Sequence, residues 1–198
     1  VAYQTAWLKC HYPTEFMAAM LNSFITNIDK VSQYIAVVES MGIKILPPDV
    51  NESYAPFTVE GNNIRFGLAA IKNVGEGVVE EIIAERNSNG EFKTFVEFCK
   101  RMNDKSINKK MVESMIMCGV FSSLPQNRAQ LLASYEAILS GVSSMGKSTM
   151  QGQFSLFDMS AGTQENNIDE FDYDDIPELD RATLLSMEKE RAGVYISG

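Results

Sequence analysis

Apolar residues recur at helical spacing on both sides of one short polar break. Leu68, Ile71 and Val74 run up to it, and Val78, Ile82 and Ile83, with Val79 beside them, run on from it. The break, Asn73-Val74-Gly75-Glu76-Gly77, holds two glycines and an asparagine that can all take positive φ. The pattern predicts a helix, a tight turn and a second helix between residues 66 and 86. A second unit follows: Phe95, Phe98 and Cys99 share a face within residues 92–102, residues 104–108 form a turn without glycine, and residues 109–118 read as helix. Upstream, helix is expected over residues 1–24, broken at Tyr12-Pro13 and restarted with Thr14 as N-cap. Asp29 opens the next helix, which carries Val31, Ile35, Val38 and Met41 and ends at Gly42. Residues 43–46 read as a short strand stopped by Pro47-Pro48, and residues 57–59 and 64–66 as a hairpin around Gly61-Asn62-Asn63. Further helices are expected over residues 125–140 and 180–192. The sum is a mainly α chain with one small β-hairpin.

Composition suits a soluble globular protein: 198 residues, 45% of them hydrophobic, are enough for a sizeable core, and no apolar run is long enough to span a bilayer. Cys10, Cys99 and Cys118 are odd in number and far apart, which predicts buried thiols in a reducing, cytosolic setting. His11 is the only histidine and has no second ligand at metal spacing beyond its neighbour Cys10, so zinc is not expected. The net charge of −9 disfavours nucleic acid until it is located. Residues 58–128 hold ten Lys/Arg against nine Asp/Glu, whereas residues 129–198 hold four against twelve. The acidity lies in the last third, and the segment around the two turns is close to neutral with dense lysines.

A helix-hairpin-helix unit of this kind leaves backbone N–H groups unpaired at the start of its second helix, where the helix dipole also favours an anion. The ligand read from this is a nucleic-acid phosphate, held by Lys72 and the backbone of Asn73, Val74, Gly75, Glu76, Gly77 and Val78, with Arg86 nearby. The second turn offers Lys105, Lys109 and Lys110 in place of glycine amides. The rival reading is an ordinary helical turn that only packs. Gly141 to Ser148 match the phosphate-loop spacing G-x-x-x-x-G-K-S, but a helix precedes them where a strand is needed, so the stretch is read as a Gly/Ser linker. After it comes Gln153-Phe154-Ser155-Leu156-Phe157, an isolated apolar pentapeptide of docking type. The acidic run from Asp169 to Asp175 is expected to be solvated.

Ala2-Tyr3-Gln4-Thr5-Ala6-Trp7-Leu8-Lys9, His11-Tyr12-Pro13, Glu15-Phe16-Met17-Ala18-Ala19, Ile45-Leu46-Pro47-Pro48-Asp49-Val50-Asn51, the run from Gly67 to Gly75 and Cys118-Gly119-Val120-Phe121 resemble the alpha subunit of bacterial replicative DNA polymerase III. The resemblance implies a fragment: residues 1–57 from the end of the fingers region, residues 58–124 a tandem helix-hairpin-helix module holding duplex DNA, and residues 125–140 a helix. Residues 141–180 would be a linker with a partly flexible acidic tail, and residues 181–198 a helix leading to an oligonucleotide-binding domain. It also implies that residues 153–157 bind the sliding clamp, with Gln153 at the rim and Leu156 and Phe157 in an apolar pocket. Asn73 stands where the hairpin motif usually has its first glycine. The intact polymerase would add nucleotides using a divalent metal, magnesium, held by palm carboxylates that this sequence lacks. The fragment itself is thus expected to need no cofactor and to be inactive alone. Its implied partners are duplex DNA, the clamp and other replicase subunits, with no membrane, in the bacterial cytoplasm.

Overall fold

A computed structural model describes residues 2–105, 107–151 and 171–198. The described chain is mainly helical, with one small sheet. Helices α1 (Ala2–His11) and α2 (Pro13–Ser23) meet at Tyr12, which is the actual N-cap of α2. Thr14, expected there, lies inside the helix because Pro13 takes the first helical position, where its missing N–H costs nothing. Helix α3 (Ile28–Ser40) starts one residue before Asp29, because the Asn27 side chain accepts the Lys30 amide. Gly42 follows its end at φ 77°.

Strand β1 (Ile45–Leu46) pairs in parallel with β3 (Asn63–Arg65), which pairs antiparallel with β2 (Thr58–Glu60), in the order β1-β3-β2. The sheet therefore crosses the boundary expected between residues 57 and 58. Two asparagines staple the connecting segment to its neighbours. Asn22 exchanges hydrogen bonds with both backbone groups of Phe57, and Asn51 does the same with Phe92. Gly67 is needed where β3 leaves the sheet, since a Cβ there would stand 2.5 Å from the Pro56 carbonyl carbon.

Past Gly67, the expected first hairpin helix is replaced by a single 3-10 turn, Leu68–Ala70, followed by an extended Ile71 at ψ 133°. The spacing of three between Leu68, Ile71 and Val74 is met by that turn, and all three are buried all the same. Helix α4 (Glu76–Asn89) runs on to Gly90 at φ 83°, three residues past the expected end at Arg86. Helices α5 (Phe95–Arg101) and α6 (Lys109–Met117) are N-capped by Thr94 and Asn108. Phe92–Phe98, Phe95–Phe121 and Phe98–Phe121 meet edge to face with centroids 5.0 to 5.2 Å apart, while Phe95 and Phe98 lie near-parallel at 6.3 Å.

Helix α7 (Arg128–Gln151) continues through residues 141–151, which were expected as a linker. Leu131, Tyr135, Ile138 and Val142 form one buried stripe, so the apolar period runs into the glycine- and serine-rich stretch and carries the helix with it. Lys147 and Ser148 are thus helical, which removes the phosphate-loop geometry. Of the acidic run expected to be solvated, Asp172, Asp174 and Asp175 are exposed, but the segment from residue 171 to residue 180 lies along the body. Phe171 and Tyr173 pack on the core, the Gln130 amide donates to the Asp174 carbonyl and the Asn127 amide to that of Ile176. Glu178 accepts the amides of Arg128 and Ala129, a carboxylate placed at the opening of α7. Helix α8 (Arg181–Ala192), capped by Asp180, packs on α6. Its Glu188, fully buried, faces Arg128 at 2.8 Å and also accepts the amides of Ile196 and Ser197.

Candidate nucleic-acid interface

Asn73 is the turning point of the first hairpin. It takes φ 67°, and among the described residues it is alone outside glycine in having a positive φ. Asparagine bears that conformation better than other L residues. Gly75 and Gly77, expected to share it, do not: Gly75 is the extended N-cap of α4 at φ −85°, and Gly77 is helical. A Cβ at either glycine would meet no heavy atom within 4 Å. Neither the backbone nor the packing of this protein therefore demands glycine at these positions.

The opening of α4 is accordingly bare. No side chain caps it, and the first amide to find an acceptor in the turn before is that of Val79, which donates to the Gly75 carbonyl at 3.2 Å. The amides of Gly75, Glu76, Gly77 and Val78 precede that bond and have no intrahelical acceptor. Gly75, Glu76 and Gly77 are exposed, Val78 is half-buried, and Val74 is buried beneath them as the apolar floor. Glu76 could offer an anion its amide only, since its carboxylate would repel one.

Two other parts of the chain fix the turn. The Asn73 side-chain amide donates to Ser114 Oγ of α6 at 3.0 Å, and the Lys72 amide donates to the Arg191 carbonyl at the end of α8. Ser114 Oγ donates in turn to the Lys110 carbonyl one helical turn back. The face of α6 that carries Ser114 therefore looks toward the first turn, and Lys110 lies one helical turn, about 5.4 Å, back along that helix. Lys109 lies about 100° further round the helix, toward α7, where its Nζ meets Glu136 at 2.8 Å. Lys72, Lys105 and Lys110 are exposed and enter no salt bridge among the described residues.

Arg86 is not available to an anion. It is buried, donates to the Val50 carbonyl at 2.9 Å and lies over the Tyr54 ring. Arg101 is used similarly: it joins Glu85, Glu97 and the carbonyls of Glu85 and Gly90, closing the loop between the two hairpins. Bonds from Asn89 and Arg101 hold the Glu85 carboxyl below its ordinary range. These roles were not legible in the sequence, because the partners lie far along the chain. His11 Nδ1 lies 2.9 Å from the Trp7 carbonyl, its ring stacks on Trp7, and no group of metal-ligating side chains occurs among the described residues. Gln153, Leu156 and Phe157 lie outside the described residues.

Residues 42–131 match a family model described as a helix-hairpin-helix motif. Whole-chain comparison finds the DNA polymerase III subunit alpha of Borreliella burgdorferi, 43% identical over all 198 residues, and that of Thermus aquaticus, 40% identical over 198. Over its whole length the chain is related to the alpha subunit of DNA polymerase III. The corresponding subunit of Saccharopolyspora erythraea is 40% identical over 203 aligned residues, again with all of this chain covered. The chain spans 16 to 17% of the length of these alpha subunits. The motif match runs from Gly42, ahead of β1, to Leu131 in α7, and so takes in the sheet and both hairpins of this chain.

Proposed function

We propose that this chain serves DNA replication as a duplex-holding segment of a polymerase III alpha subunit, gripping the phosphate backbone without reading bases. The reading rests most on the opening of α4, where four amides lack intrahelical acceptors at an exposed end and two glycines answer no need of the protein itself. A phosphate oxygen approaching those amides uses the space a Cβ would fill. Lys72 and the Lys110 face of α6 supply positive charge beside it, and Lys105 does so at the second turn. By the same family relation, Gln153, Leu156 and Phe157 dock on a sliding clamp, and the intact polymerase contributes the metal-dependent nucleotidyl transfer.

The test is duplex-DNA affinity of the chain at two salt concentrations, for the parent and for Gly75→Val combined with Lys72→Ala. Gly75 has ordinary backbone angles and open space around it, so the variant should fold. Binding that falls with salt and drops in the variant supports the grip; equal binding by both proteins overturns it. Clamp affinity lost on Leu156→Ala with Phe157→Ala, and DNA affinity unchanged, would separate the two activities.

A further inference from the structure

The two lysines that open α6 differ in their surroundings. Lys110 carries no ion pair among the described residues and shares its face with Ser114, against the first hairpin. Lys109 is held by Glu136 of α7 at 2.8 Å, and both side chains are more than half exposed. Glu136 has a second partner besides Lys109. The hydroxyl of Tyr135, a largely buried side chain, donates to the other carboxylate oxygen, Oε1, at 3.3 Å, while Oε2 takes the lysine. The bond and charge of Lys109, aided by Tyr135, keep the Glu136 carboxyl below its ordinary range. The lysine thus has an anion already in place.

We infer that Glu136 sets the DNA affinity of the second hairpin by acting as an internal counter-ion that withholds Lys109 from the phosphate backbone. This rests on the proposed DNA grip and adds a regulator to it. A lysine neutralised from within contributes nothing to counter-ion exchange with DNA, whereas a released one adds about 0.9 to the slope of log affinity against log salt. An exposed pair of this kind is weak, so its release needs only a neutral isostere.

The experiment measures duplex-DNA affinity across a salt series for the parent chain, Glu136→Gln, Lys109→Ala, the double variant, Tyr135→Phe and, as a charge control, Glu15→Gln on α2. Glu136→Gln is expected to bind about two- to fivefold tighter, with a slope steeper by about 0.9. That gain should vanish in the Lys109→Ala background, and Tyr135→Phe should give part of it. A gain that persists without Lys109, or that Glu15→Gln reproduces, is general charge repulsion and overturns the inference. If Glu136→Gln changes nothing while the Gly75→Val and Lys72→Ala combination weakens binding, the inference fails and the DNA grip stands. If no variant binds DNA, both fall.

Discussion

Gly77→Ala separates folding from binding at the first hairpin, because the two should move in opposite directions. Gly77 is the second residue of α4, exposed and helical, and a Cβ on it would meet nothing within 4 Å. Alanine is favoured over glycine in a helix by about 0.5–1 kcal/mol, chiefly through the unfolded chain. For a chain of this size each kcal/mol moves Tm by roughly 2–4 °C, so Tm should rise by about 1–4 °C. The same methyl group enters the space in front of the α4 amides. Loss of one hydrogen bond to a charged phosphate costs about 1.5–3 kcal/mol, or at least about tenfold in affinity. Thermal melting by circular dichroism and fluorescence anisotropy on a duplex of arbitrary sequence read both effects. A higher Tm with unchanged affinity would show that the amides do not meet phosphate. A lower Tm would contradict the local geometry from which both expectations follow.

Glu188→Ala should lower stability by about 3–5 kcal/mol, read as a fall in the urea midpoint, because it leaves the half-buried Arg128 guanidinium and two terminal amides without their acceptor. Thiol titration of the native chain should give one fast equivalent, at exposed Cys10, and three after denaturation, since burial pushes the Cys99 and Cys118 thiols up to about 12. The cap at Asp180 should weaken in acid. Bonds from Thr183 lower its folded pKa below the ordinary 3.8, so its stabilisation is complete above 3.8 and lost as pH falls through the lower folded value. Amide exchange over residues 181–184 should speed up in that window, and much less so in Asp180→Asn; equal acid sensitivity of the two would refute the assignment.

Local signals read well where local physics decides. Val31, Ile35 and Val38 announced α3, Gly61 announced the β2–β3 turn, and Asn73 announced the positive φ of the hairpin. Three readings failed where distant contacts decide. Leu68, Ile71 and Val74 are equally consistent with an α-helix or a 3-10 turn, and the close approach of Gly67 to Pro56 selects the latter. The glycines and serines after residue 140 masked a stripe that Val142 continues. Arg86 looked like a surface cation until Val50, 36 positions away, supplied its acceptor. Lysine 109 was legible as a charge, but its pairing with Glu136, 27 positions on, was not.

The attachments of the first turn also bear on mechanics. Its backbone is tied at Leu68 and Ala69 to the carbonyls of Tyr54 and Ala55, at Lys72 to the end of α8, and through Asn73 to the middle of α6. These anchors come from widely separated stretches of chain and surround the turn on several sides. Under the proposed grip, a sideways pull from a moving duplex would be shared among them, with no single hinge to take it. The turn is therefore a cleat set into the body rather than a finger, with little travel of its own; under the proposed grip, a strand would slip past it from one phosphate to the next while the protein stays put.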